Sequence, residues 1–224
     1  MAHPVHRMAL DLSHHNTVRS FQKVVDAGIV GIIHKATEGT SFVDRKYAGR
    51  RKGCLEHGIE WGAYHFATAS DVEAQAEHFL ETAELHAGDL FCLDWESYGD
   101  NTMSIDQARR WIELVEDALG RPGQCVLYSG NVAKEELGNA IDPFFGARRL
   151  WLAQYGSNPT VQKSWDDFWL WQYSDGQSGP QPHGCPGVSG YVDTNSYDGT
   201  PEQLRAEWAS GKQGPSPAPP GLVA

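Results

Sequence analysis

The stretch from Ile29 to Phe66 reads IVGIIHKATEGTSFVDRKYAGRRKGCLEHGIEWGAYHF. Ile29 to Ala36 is apolar and β-branched, which predicts a strand. Val43 to His57 predicts a helix stopped by Gly58, and Ile59 to Phe66 a further strand. Strand, helix and strand in succession make a βαβ unit, which places the two strands side by side and parallel. Upstream, Met8 to Leu12 reads as a strand and Thr17 to Ala27 as a helix ending at Gly28. Downstream the pattern repeats. Asp71 to Ala87 is a helix with Asp71 as N-cap and Gly88 as C-cap. Leu90 to Trp95 is a strand, and Ser104 to Leu119 a helix between Ser104 and Gly120. Gln124 to Tyr128 is a strand and Asn131 to Leu137 a short helix.

Beyond that point the helices fade. Arg149 to Gln154, Trp169 to Tyr173 and Tyr191 to Asn195 read as strands joined by Gly, Pro and Ser loops. The expectation is an α/β fold with a parallel sheet of eight strands closed into a modified TIM-like barrel. Five β/α units are followed by three strands, (β/α)5(β)3. Residues 1–7 read as an N-terminal extension and 8–210 as the barrel domain. Residues 211–224, rich in Pro and Gly, read as an extended disordered tail. A single barrel of this kind suits the 224 residues.

Hydrophobic residues make up 40% and charged residues 21%, enough apolar side chain for a sizeable core. The formal net charge of −11 disfavours nucleic acid and anionic membrane surfaces as partners, because both are bound through Lys and Arg clusters. Eight Trp and eight Tyr offer flat walls for a sugar or aromatic ligand, or simply core. No run approaches the roughly 20 apolar residues of a membrane span. The Met1 to Met8 segment has no apolar h-region, so no signal peptide is readable and synthesis in the cytoplasm is expected. Cys54, Cys92, Cys125 and Cys185 form no zinc spacing and read as reduced, structural thiols. No cofactor is implied.

In a parallel barrel the functional groups gather where strands end. Asp11 closes the first strand here, Asp94 and Glu96 the fourth, and Asp193 lies at the end of the last. Asp94 and Glu96 are two apart, so both side chains point the same way with Cα atoms about 6.5–7 Å apart. Each charge raises the neighbour's pKa, leaving a carboxylate beside a carboxylic acid near neutral pH. Glycosidic cleavage needs that pair: one group protonates the leaving oxygen, the other stabilises positive charge at the anomeric carbon. A D-x-E pair alone also occurs as an exposed acidic couple. His14 and His15 are adjacent on a loop, a poor geometry for one ion, so no metal is expected. Lys35 either pairs with a carboxylate at the mouth or caps the barrel. Arg50-Arg51 and Arg148-Arg149 read as solvated faces.

Several segments together resemble a known family. Asp11-Leu12-Ser13-His14-His15-Asn16, His34-Lys35-Ala36-Thr37-Glu38-Gly39 and Gly62-Ala63-Tyr64-His65-Phe66 are similar to successive motifs of the CH-type lysozymes, glycoside hydrolase family 25. Leu93-Asp94-Trp95-Glu96, Trp151-Leu152-Ala153-Gln154-Tyr155, Trp171-Gln172-Tyr173 and Val192-Asp193-Thr194-Asn195 continue the match in order. The resemblance runs from about Met8 to Gly199. It implies a muramidase that cleaves the β-1,4 bond between N-acetylmuramic acid and N-acetylglucosamine in bacterial peptidoglycan. Carried over by position, Glu96 is the general acid and Asp94 orients the substrate's 2-acetamido group or stabilises the developing charge. Asp11 and Asp193 hold that pair from either side of the mouth. Retention of configuration is implied, with the acetamido oxygen as internal nucleophile; direct attack by Asp94 requires carboxyl groups about 5–5.5 Å apart.

Tyr64 and His65 end the third strand and face the groove, or else pack in the barrel's upper layer. Tyr128 offers its hydroxyl to the acetamido group. Trp151 and Trp171 stack on sugar rings or serve as core, and Gln154 and Gln172 bind hydroxyl or acetyl groups. The rival reading, a non-catalytic peptidoglycan-binding module, would be marked by a missing carboxylate, and all four acids are present. A chitinase-type D-x-x-D-x-D-x-E run is absent before Glu96. A monomeric, phage endolysin-like enzyme released to the wall by a membrane-disrupting holin fits this reading.

Overall fold

Strands that are apolar on both faces belong in the middle of a layered structure, and Leu90–Asp94 and Val126–Ser129, buried at every position, are of that kind. The computed structural model describes residues 2–212. In chain order the elements are β1 (Arg7–Leu12), β2 (Thr17–Val18), α1 (Phe21–Asp26), β3 (Gly31–Glu38), β4 (Phe42–Val43), α2 (Tyr47–Glu56), β5 (Glu60–Phe66), α3 (Val72–Ala83) and β6 (Leu90–Asp94). They continue with α4 (Ile105–Leu119), β7 (Val126–Ser129), α5 (Asn131–Leu137), α6 (Pro143–Gly146), β8 (Arg149–Ala153), β9 (Leu170–Ser174), β10 (Val188–Ser189), β11 (Asp193–Ser196) and α7 (Pro201–Ser210). The order β1-β11-β9-β8-β7-β6-β5-β3, closed by the pairing of β3 with β1, makes an eight-stranded barrel. Five β/α units precede β8, β9 and β11, as the sequence predicts.

Alternate strand residues sort into two cores. Ala9, Ile33, Cys92, Val126 and Trp151 point into the barrel. Leu10, Ile32, Leu93, Leu127 and Leu150 point outward, into an outer core they share with Phe79 of α3 and with Trp111 and Val115 of α4. Leu204 and Trp208 of α7 join the inner cluster. The indole of Trp208 donates to the carbonyl of Trp61 at 2.9 Å. The four cysteines are buried free thiols, and no helix among the described residues is long and apolar enough to cross a membrane.

The structure corrects several expectations. The sheet is not wholly parallel: β11 runs antiparallel to both β1 and β9. The segment between β9 and β11 stays at one end of the barrel. There Asp175 accepts the amides of Gln177 and Ser178, and β10 pairs with β2. The chain therefore enters β11 from the end at which β9 finished. Asp193 accordingly begins β11 instead of ending it, and still sits at the same mouth as Asp11, its register partner. The first helix starts only at Phe21, where the Ser20 hydroxyl accepts the amide of Lys23. The helix expected from Val43 starts at Tyr47, and the one expected to reach Ala87 ends at Ala83, with Glu84 in the left-handed region at φ 45°. Helices α6 and α7 were not expected.

The arginine pairs are not solvated. Arg51 bonds Asp89 at 2.5 Å and Arg148 bonds Glu116 at 2.7 Å. Arg50 donates to the carbonyls of Ser13 and Asn16. Arg149 lies over the ring of Trp169 at 4.2 Å and donates to the carbonyl of Glu207. Burial holds its pKa down at about 10. Residues 2–7 lie along the barrel: the amide of His3 donates to Ser157 O at 2.8 Å and its ring bonds Asp198 at 2.7 Å. Gly211 caps α7. The tail expected to be disordered lies, from residue 213 on, outside the described residues.

The closest approach in the barrel's base sits at Gly31, where a Cβ would stand 2.4 Å from the ring of Trp208. Gly31→Ala is expected to destabilise the protein by about 1–3 kcal/mol through overpacking. Thermal melts should show about 2–4 °C lost per kcal/mol for a chain of this size. An unchanged melting temperature would mean that α7 does not seal the barrel.

Candidate active site

All eight barrel strands, or the residues just past their ends, send side chains into one hollow of about 230 Å³ at the mouth. Asp11 comes from β1, Lys35 from β3, Tyr64 and Phe66 from β5, and Asp94 with Glu96 from β6 and the residues after it. Tyr128 comes from β7, Trp151 from β8 with Tyr155 beyond it, Gln172 from β9 and Asp193 from β11. The four acids singled out in the sequence therefore share a single cavity. A second hollow of about 440 Å³ adjoins it, and Glu96, Tyr128 and Tyr155 line both.

Hydrogen bonds fix one side of this ring. Gln172 donates its amide to both oxygens of Asp11 at 3.1 and 3.0 Å. Its carbonyl accepts the hydroxyls of Tyr128 at 2.9 Å and Tyr155 at 2.7 Å. Asn195 donates to Asp11 at 2.9 Å and accepts the indole of Trp151 at 2.6 Å. Gln172 and Trp151 are thus bound up inside the protein, each about 2% exposed, and they hold Asp11 in place. Tyr128 spends its proton on Gln172, and its hydroxyl also lies within hydrogen-bonding reach of Tyr155. Asp94 differs: its Oδ1 is buried and has no hydrogen-bond partner in the protein.

His65 and Trp171 do not line the hollow, contrary to expectation. Neighbouring strand residues point to opposite faces, so with Tyr64 and Gln172 inward, His65 and Trp171 must face outward. His65 bonds Thr37 and Gln75 and stacks on Trp111 at 5.2 Å. Burial pushes its pKa down to about 3. Trp171 is fully buried and donates to the carbonyl of Gln154. Gln154 lines the second hollow, but its side chain is taken by Lys134, Asn158 and Thr160. His14 bonds Asp44 at 3.1 Å. Phe66 and Tyr155 were missed as lining residues, although the same two-residue alternation that places Tyr64 also places Phe66.

Burial raises every acid of the cluster, to different extents. Asp11 rises to about 6, desolvation being opposed by the donors Asn195 and Gln172. Asp193 rises to about 9 through desolvation and the neighbouring Asp11. Asp94 is pushed well up by desolvation and then by Glu96. Glu96 is raised by desolvation and then by Asp11. Near neutral pH, Asp193 therefore keeps its proton and donates it to the Asp11 carboxylate.

A carboxyl group that keeps its proton to about pH 9 when folded, but loses it near pH 4 when unfolded, makes the folded state bind more protons. Stability then falls as pH rises from about 4 to about 9, by at most about 1.4 kcal/mol per pH unit from this group. Asp193→Asn retains a donor facing Asp11 and removes the titration. Chemical denaturation between pH 5 and 8 is expected to give a flatter stability profile for this variant than for the parent. Parallel profiles would mean that Asp193 is ionised in the folded protein.

Comparison with known proteins follows the same lines. The family model for glycosyl hydrolases family 25 matches residues 10–181. The chain is 31% identical over 182 residues to the autolytic lysozyme of Clostridium acetobutylicum, covering 79% of this chain and 51% of that protein. It is 30% identical over 211 residues to lysozyme M1 of Streptomyces globisporus, covering 88% and 69%. The chain thus spans about half the length of the first of these relatives and about two thirds of the second. The crystal structure of the bacterial lysozyme from Streptomyces coelicolor superposes with a TM-score of 0.76 at 28% identity, covering 91% of this chain and 97% of that one. A family match over most of the barrel, with the acids gathered at its mouth, leads to one conclusion: the chain belongs to family 25 of the glycosyl hydrolases.

Proposed function

We propose that the protein is a muramidase that hydrolyses the β-1,4 bond between N-acetylmuramic acid and N-acetylglucosamine in bacterial peptidoglycan. The observation that carries this reading is the sharing of one sugar-sized hollow by Asp11, Asp94, Glu96 and Asp193. Burial raises the proton affinity of Glu96 and pushes that of Asp193 up to about 9. The relatives named lysozyme support the same assignment.

In this reading Glu96 is the general acid. It lies on the boundary between the two hollows, where the bond between two adjacent sugars would run. Burial raises its proton affinity, which favours the protonated carboxyl needed for transfer to the glycosidic oxygen. The acetamido oxygen of the muramyl sugar attacks the anomeric carbon as the bond to the leaving oxygen breaks. The oxygen without a partner on Asp94 accepts the acetamido N–H and steadies the positive charge. The ionised Glu96 then takes a proton from the water that opens this intermediate, so configuration is retained and the acid regenerated. Tyr128 offers a further acceptor, while Asp11 and Asp193 hold the local charge.

Glu96→Gln keeps the shape of the site and removes the proton. Turbidity loss of a bacterial wall suspension is expected to slow by about 10²–10⁴-fold. Equal rates for parent and variant would leave only a binding module of the same fold. Proton NMR during turnover is expected to show the β-anomer of the new reducing end first. An initial α-anomer would exclude both retaining routes.

A further inference from the structure

Among the described residues that line the hollow, Lys35 is the one Lys or Arg, and it faces four acids. Its side chain is nearly buried, at about 10% exposure. The ammonium forms an ion pair with Glu38, three residues along the same strand. It also stands 4.5 Å from the ring of Phe66 and 5.3 Å from that of Phe42. An ammonium held between two aromatic faces and one carboxylate has little freedom to turn toward water. Its charge is therefore fixed beside the acid cluster, in surroundings that screen it weakly.

We propose that Lys35, anchored by Glu38, is a positioning residue that keeps a single negative charge available to the Asp94–Glu96 pair. This rests on the muramidase reading only for its kinetic test. Without a local cation, burial and mutual repulsion would favour the protonated form of both carboxyl groups, and Asp94 would lose the charge that steadies the cation formed in the first half of the reaction. Lys35 opposes the rise in proton affinity of both Asp94 and Glu96. Glu38 offsets part of the Lys35 charge, so the pair sets how strongly the cluster is biased. The other titratable groups on the hollow are Asp11 and His15 from the β1 side, Tyr64 from β5, Tyr128 and Tyr155 across the mouth, and Asp193 from β11. The tyrosines stay uncharged near neutral pH because burial raises their pKa. His15 also lines the hollow, so the variants are made in a His15→Gln background, and Asp11, raised to about 6, is followed as a separate signal.

The test uses Lys35→Met, Lys35→Arg and Glu38→Gln in the full chain. Carbon-13 NMR of labelled carboxyl groups reads the titration of Asp94 and Glu96 without any substrate. Lys35→Met is expected to move both titrations up by about one unit or more, and Glu38→Gln to move them down. Lys35→Arg should restore the parent values. Both limbs of the kcat/KM profile on wall fragments should follow in the same directions. Unmoved titrations, or shifts of one sign in Lys35→Met and Glu38→Gln alike, would overturn the proposal. Titrations that move as expected in a parent protein without lytic activity would sink the muramidase reading and leave the role of Lys35 standing.

Discussion

Four carboxyl groups cannot all be ionised inside a hollow of about 230 Å³. That constraint organises the upper half of the molecule. Each acid is supported differently: Asp11 by two amide donors, Asp193 by the proton it shares with Asp11, Glu96 by its place at the boundary of two hollows, and Asp94 by no hydrogen bond at Oδ1. The graded surroundings turn four chemically similar groups into a ladder of proton affinities. Acid and base chemistry at one pH depends on such a ladder.

The barrel creates the crowding and also makes it tolerable. Every strand places a side chain at the same mouth, so the acids meet although they are scattered from residue 11 to residue 193. The tyrosine hydroxyls and the Gln172 amide form a polarised chain that ends on Asp11, so the buried charge is hydrogen-bonded throughout. At the opposite end Trp208 and Leu204 close the base, and Arg149 is held there by Trp169 and a carbonyl. Rigidity at the base keeps the mouth in register.

Much of this was legible in the chain. The βαβ rhythm and the caps at Ser104 and Gly120 followed from local periodicity and capping chemistry, whereas the short helix α6 and the closing helix α7 did not show in it. The four acids stood out because they fell at strand ends. His65 and Trp171 were misplaced beside Tyr64 and Gln172 because adjacent strand residues cannot share a face. The alternation carries that signal only once one residue's direction is known. The arginine pairs misled for a different reason: their partners, Asp89 and Glu116 among them, lie far along the sequence.

The sequence alone determined the kinds and order of the elements, the set of acids and the family likeness, because these rest on local propensity and residue identity. The tertiary structure decided the direction of β11, the faces that His65 and Trp171 present, and the placement of Lys35 against the acid cluster. Those features depend on barrel closure, which brings distant segments together and sets the dielectric around each charge, and no short window of sequence encodes either.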